Sequence, residues 1–320
     1  MGTHAHDPAE PPVTDVADER SASEPPAEPS QPPSLRGSRA LLTPPRIRAL
    51  LAAHGLRPVR ALGQNYLADP NTARKVVRLA GVRAGETVLE VGPGLGSLTL
   101  ALREAGVRVV AVEADGRLVP ALEEALGGDP GVSVTVADAL RVDLGALAPG
   151  AHRLVANLPY GIAAPLVLRV LAEVPAVQEL TVMVQREVGE RLAAAPGSPA
   201  YGAPSAKVAA LAEARVLAPV SRRVFIPEPH VDSVLVGVVR RRHPALAGLG
   251  YPEVARVVDA AFSQRRKTLR NALRTLGLDA AGVEALGRAA GVDLGLRAER
   301  LDVPAFAALA RNVDPAPGRG

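Results

Sequence analysis

The sequence predicts an α/β fold: a covered, mostly parallel sheet with an antiparallel edge, followed by a small C-terminal helical domain. Three observations carry this prediction. Strand-like runs alternate with helical patterns between residues 87 and 184, which is typical of βαβ units in a parallel sheet. Two later strand-like runs have no clear crossover helix between them, which favours an antiparallel edge. Beyond Arg242 the apolar periodicity becomes helical.

The individual elements follow from local signals in chain order. Thr43-Pro44-Pro45 is typical of a helix start, and the helix that it opens is expected to end near Gly55. The predicted strands are 87–91, 107–112, 132–136, 154–156 and 180–184, with later strands at 216–217 and 233–239. The predicted helices are 98–104, 118–126 and 165–173 among the strands, and 254–276, 283–289 and 305–312 beyond them.

The first 40 residues differ from the rest in composition. They hold eight prolines, seven acids and three arginines, with almost no large apolar residue. Such a segment cannot bury enough surface to offset the entropy of ordering, so we predict disorder. The predicted organisation is a tail over 1–40, a body over 41–242, a helical domain over 243–314 and a flexible end over 315–320.

Charge and residue types narrow the possible function classes. The net charge is +4, but residues beyond 40 hold 34 of the 37 basic and 26 of the 33 acidic residues, a net of +8. A basic body is compatible with an RNA partner. The absence of cysteine excludes disulfides and thiolate metal sites. We expect no metal centre, no membrane span and no secretory signal, and therefore a cytoplasmic protein, which we take to be a monomer.

A glycine-rich loop, Glu90-Val91-Gly92-Pro93-Gly94-Leu95-Gly96-Ser97, joins the first predicted strand to a helix. Gly92 and Gly94 let the backbone approach a ligand closely. Glu113 ends the second strand, where its carboxylate can accept hydrogen bonds from both ribose hydroxyls of a nucleoside ligand. Asp138 ends the third strand, where it can accept a hydrogen bond from the amine of an adenine. Each acid alone fits a helix cap or a solvated loop equally well. Three strand ends lining one crevice, without the dinucleotide fingerprint, favour S-adenosyl-L-methionine over NAD.

The run Asn157-Leu158-Pro159-Tyr160 closes the fourth predicted strand. An amide, a rigid proline and an aromatic face can hold a flat ring that bears an amine, with Tyr160 stacked on the ring. The chain has only four tyrosines, three phenylalanines and no tryptophan, so an aromatic residue at this position is unusual for this composition. The same tetrapeptide also suits an ordinary turn at a strand end.

Together these motifs resemble the ribosomal RNA adenine N6-dimethyltransferase family over about residues 57–306. The resemblance is carried by 62–67, the glycine loop, Glu113, Asp138, 157–160, 225–233 and 264–271. It is nearest to the small-subunit branch, whose members dimethylate two adjacent adenines in a hairpin near the 3′ end of 16S rRNA within the small ribosomal subunit. It implies a Rossmann-like class I methyltransferase sheet and S-adenosyl-L-methionine as the methyl donor.

The resemblance also implies residue roles at the donor site. Donor contacts are expected at Asn65, Leu67, Gly92, Gly94, Glu113, Asp138 and Asn157. Three residues depart from the usual family pattern: Tyr66 stands where Phe is usual, and Gly161 and Ala163 stand where Asn and Ser are usual.

The catalytic segment is expected to be Asn157, Leu158, Pro159 and Tyr160. The Asn157 side-chain oxygen and the Leu158 carbonyl would accept the two hydrogens of adenine N6, and transfer would then depend on positioning. Tyr160 and Phe225 would flank the unstacked base.

A basic run in the C-terminal region holds Arg265, Arg266, Lys267 and Arg270, with no acid among them. Such a run is often a solvated helix face. Here the density of bases and the resemblance favour binding to rRNA phosphates.

Three other functions are open at this stage. One is a 23S rRNA adenine N6-methyltransferase that confers macrolide-type resistance, although that branch usually has Ser before Gln-Asn and lacks the basic run. A second is a small-subunit assembly factor that acts chiefly by binding. A third is a DNA adenine methylase, which more often carries an Asp-Pro-Pro-Tyr type motif.

Overall fold

The computed structural model describes residues 40–59, 63–159, 161–241, 243–264 and 266–313. In these residues the strands are β1 (Tyr66–Leu67), β2 (Thr87–Val91), β3 (Arg108–Glu113), β4 (Val132–Val136), β5 (Ala151–Asn157), β6 (Glu179–Gln185), β7 (Ala212–Val220), β8 (Phe225–Ile226) and β9 (Ser233–Arg240). The helices are α1 (Pro44–Ala53), α2 (Pro70–Ala80), α3 (Ser97–Glu104), α4 (Val119–Leu126), α5 (Leu144–Leu147), α6 (Ala163–Glu173), α7 (Arg186–Leu192), α8 (Ala203–Leu211), α9 (Tyr251–Phe262), α10 (Leu269–Ala272), α11 (Ala280–Ala290) and α12 (Val303–Asn312).

Seven strands form the main sheet in the order β4-β3-β2-β5-β6-β9-β7. Strands β2 to β6 run parallel, and β9 pairs antiparallel with both β6 and β7. The predicted fold class, with its antiparallel edge, is therefore confirmed. The strand order reverses between β2 and β5, so a crevice opens at the carboxyl ends of these strands.

Apolar clusters cover both faces of the sheet. One face packs against helices α1 to α4, with Ile47 and Leu102 fully buried, and the other packs against α5 and α6, with Leu166 fully buried. This two-sided burial explains why the parallel strands read as nearly continuous apolar runs. The Arg240 guanidinium at the end of β9 donates to the carbonyls of Val170, Leu171, Val174 and Val177, and so caps the C-terminal end of α6.

The C-terminal helices form a third apolar cluster. Phe306 is fully buried there, and its ring centroid lies 6.1 Å from that of Phe262, which in turn lies 6.0 Å from that of Tyr201. Ala206 and Ala210 of α8 also belong to this cluster, so the helices pack directly on the preceding body. The predicted tail over 1–40 and the predicted end over 315–320 fall outside the described residues, apart from Ala40.

The predicted helix over 254–276 is wrong in its middle. Helix α9 ends at Phe262, and α10 begins only at Leu269. The backbone N–H of Leu269 donates to the Leu296 carbonyl at 2.8 Å, and that of Arg270 donates to the Leu294 carbonyl at 3.1 Å. Because these donors bind a distant segment, they cannot bind the preceding helical turn, and the helix is interrupted.

Several elements of the described chain escaped the sequence prediction, among them the helices α5, α7 and α8. The short strands β1 and β8 pair antiparallel, with Tyr66 opposite Ile226 and Leu67 opposite Phe225. Helix α2 was also missed, although Asp69 caps it by accepting from the backbone of Thr72 at 2.9 Å. No helix in the described ranges is long and apolar enough to cross a membrane.

Candidate active site

A cavity of about 430 Å³ opens at the carboxyl ends of β2, β3, β4 and β5. Its walls come from the loops that follow these strands, and it is closed on one side by the segment 63–67, here called the roof segment. Size and position are typical of a small-molecule site at the switch point of an α/β sheet. The cavity unites all the predicted donor-site residues, together with Leu158, Pro159 and Phe225.

The glycine loop adopts a backbone conformation that requires its glycines. The φ angles of Gly92, Gly94 and Gly96 are 71°, 58° and 93°, in the left-handed region. A Cβ atom at Gly94 would lie 3.2 Å from Cδ1 of the Tyr66 ring. The loop therefore packs closely against the roof segment, and a side chain at position 94 would push the two apart.

Glu113 is buried at the end of β3 and is fixed by two backbone donors. Its Oε2 accepts from the Gly94 N–H at 3.0 Å, and its Oε1 accepts from the Asp115 N–H at 2.9 Å. Burial raises the pKa of Glu113, against the lowering effect of these two hydrogen bonds. Each oxygen keeps a second lone pair, so the carboxylate can still accept two hydroxyl groups.

Asp138 follows β4 and lies at a more exposed part of the cavity wall. Its Oδ1 accepts from the Leu140 N–H at 2.9 Å, and its Oδ2 lies 3.4 Å from Nε of the exposed Arg141. Because the Arg141 contact is long and exposed, Oδ2 could exchange it for a single donor such as an amine.

Asn157 and Leu158 place two acceptors at the end of β5. The Asn157 side-chain amide nitrogen donates to the Asn65 carbonyl at 3.3 Å, and both residues line the cavity. The side-chain oxygen of Asn157 keeps its acceptor capacity. The Leu158 N–H donates to the Met183 carbonyl at 3.0 Å, while among the described residues nothing donates to the Leu158 carbonyl. Tyr160 lies outside the described residues, so its predicted stacking role stays a prediction.

Phe225 reaches the cavity from a distant part of the chain. Its strand β8 pairs with β1 in the roof segment, and the Ala68 N–H donates to the Val224 carbonyl at 2.7 Å next to that pairing. The Phe225 side chain is buried and lines the same cavity as Asn157.

Glu90 lines the cavity but was not predicted as a site residue. It is 1% exposed, and neither its Oε2 nor the Ser97 hydroxyl has a hydrogen-bond partner among the described residues. Burial raises the pKa of Glu90 to about 8. The sequence signal that could have identified Glu90 is its position: it is an acid inside the apolar strand Thr87–Val91, at the start of the glycine loop.

The basic run lies away from the cavity: Arg266 and Lys267 lie between α9 and α10, and Arg270 lies in α10, so these three residues do not share one continuous helix. Arg266 and Lys267 are exposed. Arg270 is also exposed, but its Nε lies 2.5 Å from Oε1 of Glu284, an acid that sequence proximity did not reveal. Arg265 falls outside the described residues. Within the described part of the chain, no cluster of three His, Asp or Glu side chains could hold a metal ion.

Comparison with known proteins identifies relatives over most of the chain. A family model for ribosomal RNA adenine dimethylases matches residues 57–311. The chain is 48% identical over 279 residues to ribosomal RNA small subunit methyltransferase A of Streptomyces avermitilis, covering 85% of this chain and 94% of that protein. The protein of the same name from Leifsonia xyli is 49% identical over 276 residues, covering 84% of this chain and 98% of that protein.

Two solved structures are also similar. A dimethyladenosine transferase from Plasmodium falciparum is 23% identical with a TM-score of 0.62, covering 76% of this chain and 95% of that chain, and this supports the fold. The 23S rRNA methyltransferase ErmE is 26% identical with a TM-score of 0.57, covering 78% of this chain and all of that chain.

Proposed function

The chain belongs to the ribosomal RNA adenine dimethylase family, and from this premise we propose that it dimethylates N6 of two adjacent adenines in the 3′-terminal hairpin of 16S rRNA. It is an rRNA adenine dimethyltransferase. The choice of the small subunit is supported by relatives named small subunit methyltransferase A at 48% and 49% identity, against 26% for the 23S enzyme. One structural observation supports the chemistry: Asn157 and Leu158, each of which carries a hydrogen-bond acceptor, both line the cavity.

The proposed methyl donor is S-adenosyl-L-methionine, and the cavity fits it. Glu113 offers two fixed oxygens to the ribose hydroxyls, and Oδ2 of Asp138 suits the adenine amine. The unpartnered Oε2 of Glu90 suits the ammonium group of the methionine part. The close glycine backbone, with Asn65 and Leu67 in the roof segment, would enclose the donor. When bound, this donor supplies an electrophilic methyl group.

Methyl transfer needs a better nucleophile than free adenine offers, because the N6 lone pair is delocalised into the ring. The Asn157 oxygen and the Leu158 carbonyl would each accept one N6 hydrogen. Two acceptors in fixed positions favour a pyramidal nitrogen and direct its lone pair toward the donor. The nitrogen would attack the methyl carbon as the carbon–sulfur bond breaks, a neutral thioether would leave, and the proton lost from N6 would pass to solvent. In the second transfer the one remaining N6 hydrogen would use one of the two acceptors. Catalysis then comes from orientation and electrostatics, and the residues supply no nucleophile of their own.

The target adenine has to leave its stack to reach the cavity. Phe225 provides an apolar face at the cavity wall, and we assign the opposite face to Tyr160. Stacking on an aromatic side chain contributes about 1–3 kcal/mol per base, which offsets part of the unstacking cost.

We assign rRNA phosphate contacts to the basic run, with Arg266 and Lys267 as its exposed members. Arg270 would have to exchange its Glu284 partner for a phosphate. With the small-subunit precursor as substrate, the reaction would take place in the cytoplasm, with one chain as the acting unit.

The test is primer extension on 16S and 23S rRNA from a deletion strain. N6-dimethyladenine stops reverse transcriptase, so we expect the deletion to remove a stop at two adjacent adenines near the 3′ end of 16S rRNA. Complementation with the wild-type chain should restore the stop, whereas the Asn157→Ala variant should not. Loss of a stop in 23S rRNA alone would reject the small-subunit assignment.

A further inference from the structure

Tyr66 occupies the position in the roof segment where the family usually has Phe, so its hydroxyl is an added group. The side chain is buried, and the hydroxyl donates to Oε1 of Gln64 at 3.1 Å. The same oxygen accepts from the Val59 N–H at 2.9 Å. Burial, followed by the nearby Glu113 and Asp115 charges, raises the pKa of Tyr66, so the hydroxyl stays protonated and acts as a donor.

Gln64 links Tyr66 by hydrogen bonds to Asp115 in the loop after β3. Its Nε2 donates to Oδ2 of Asp115 at 2.8 Å. Asp115 is clamped in turn by Arg117, whose Nε and Nη2 lie 2.8 and 2.7 Å from the two carboxylate oxygens. Arg117 lowers the pKa of Asp115 to about 2, so Asp115 remains a charged acceptor and the bond from Gln64 is charge-assisted.

The same tyrosine also meets the glycine loop. A Cβ atom on Gly94 would lie 3.2 Å from Cδ1 of the Tyr66 ring, so the ring packs closely against the loop. Gly94 and Asp115 are the two residues whose backbone N–H groups hold the Glu113 carboxylate. Tyr66 therefore contacts one of these two segments directly and reaches the other through Gln64.

We propose that the Tyr66 hydroxyl, acting through Gln64 and Asp115, holds the roof segment closed over the cavity before the methyl donor binds, and so strengthens donor binding. Tyr66 is a positioning residue, because the hydroxyl bonds to Gln64. A roof that is already ordered lowers the conformational cost of binding. The inference rests on the proposed function for the identity of the donor, but the closed roof itself is a property of the ligand-free chain.

The test compares Tyr66→Phe with Tyr201→Phe as a matched control. The Tyr201 hydroxyl is also buried and donates to the Leu301 carbonyl at 3.0 Å, but it does not line the cavity. Both variants lose one buried hydroxyl hydrogen bond. Only Tyr66→Phe should weaken S-adenosyl-L-methionine binding, by about two- to tenfold as expected for one net hydrogen bond. Its KM for the donor should rise with kcat unchanged.

The Gln64→Met background tests the route. There, Tyr66→Phe should have no further effect on donor affinity, because the acceptor for the hydroxyl is already gone. Equal effects in both backgrounds would overturn the route through Gln64. Unchanged donor affinity in Tyr66→Phe, with a melting temperature lowered as in the control, would overturn the proposal and leave the hydroxyl a purely structural role.

Hydrogen exchange of the ligand-free protein separates this inference from the proposed function. Amides of residues 63–67 should exchange about two- to tenfold faster in Tyr66→Phe than in the wild type or in Tyr201→Phe. If the wild type failed to bind S-adenosyl-L-methionine, the proposed function would fall, and exchange would still decide whether the hydroxyl closes the roof. Equal exchange in all three proteins would reject the closure.

Discussion

Glu90→Gln should change how the stability of the ligand-free protein depends on pH. Glu90 is 1% exposed, and burial raises its pKa from 4.5 to about 8. Between these values the folded chain keeps the proton while the unfolded chain releases it, so the unfolded state binds fewer protons. The free energy of unfolding therefore falls as pH rises through this window, by up to about 1.4 kcal/mol per pH unit for one group. The loss of stability that results from ionising the buried Glu90 is absent below pH 4.5 and complete above about pH 8.

Glutamine keeps the shape of the side chain and removes the titration. The difference in unfolding free energy between Glu90→Gln and the wild type should thus grow in favour of the variant from pH 5 to pH 8, by about 4 kcal/mol at most. Urea unfolding at pH 5, 6, 7 and 8 and constant ionic strength measures this difference. Glu123→Gln, at an exposed position of α4, is the matched control for the loss of a carboxyl group. Parallel stability curves for Glu90→Gln and the wild type would refute the reasoning, since an unpaired buried amide costs the same at every pH.

Four further predictions concern the proposed activity. Asn157→Ala should lower the single-turnover rate on small subunits by about 10²–10³ while donor affinity stays within a few fold, and a near-normal rate would reject its role toward the amine. Glu113→Ala should weaken donor binding by about 1.5–3 kcal/mol in calorimetry, whereas unchanged affinity would exclude it as the ribose acceptor. Replacing Arg266 and Lys267 by alanine should weaken binding to small subunits and lower the salt slope by up to about two units, with donor affinity as the internal control. Arg270→Ala should have a smaller effect on RNA binding, because part of its charge is already matched by an acid; an effect equal to that of the pair would show that this ion pair opens on the ribosome.

The parallel strands were predictable because they are short runs rich in β-branched and apolar residues, bounded by turn residues. The inner strands are largely buried, whereas the edge strand β4 is only partly buried. The runs 87–91 and 132–136 coincide with β2 and β4 to the residue. The location of Glu113 and Asp138 in one cavity was predictable for a related reason: parallel strands bring their carboxyl ends to one edge of the sheet. Their proposed contacts with the donor stay a prediction. Local pattern and topology were enough for this part of the site.

Helix α2 was missed although its cap at Asp69 is a local signal. The other missed features of the site depend on contacts between distant segments. Gln64 and Asp115 are 51 positions apart, and their hydrogen bond exists only once the roof segment lies over the cavity. Strands β1 and β8 have two residues each, which is too short for any periodicity to register. The interruption after Phe262 was not predictable from the local sequence, because the backbone N–H groups of Leu269 and Arg270 bind carbonyls near residue 295 instead of the preceding turn.

Under the proposed function, acidic groups would recognise the donor and basic groups would recognise the RNA. The cavity is lined by the carboxyl groups of Glu90, Glu113, Asp115 and Asp138, while the chain beyond residue 40 carries a net charge of +8. Interactions inside a largely buried cavity are screened little by salt, whereas contacts between exposed bases and phosphates are screened strongly. An acidic interior suits a cationic donor and a basic exterior suits a polyanion, so the two partners do not compete for the same groups. Raising the ionic strength should therefore release the RNA while leaving the donor bound, and this order of release follows from where the fold places its charges.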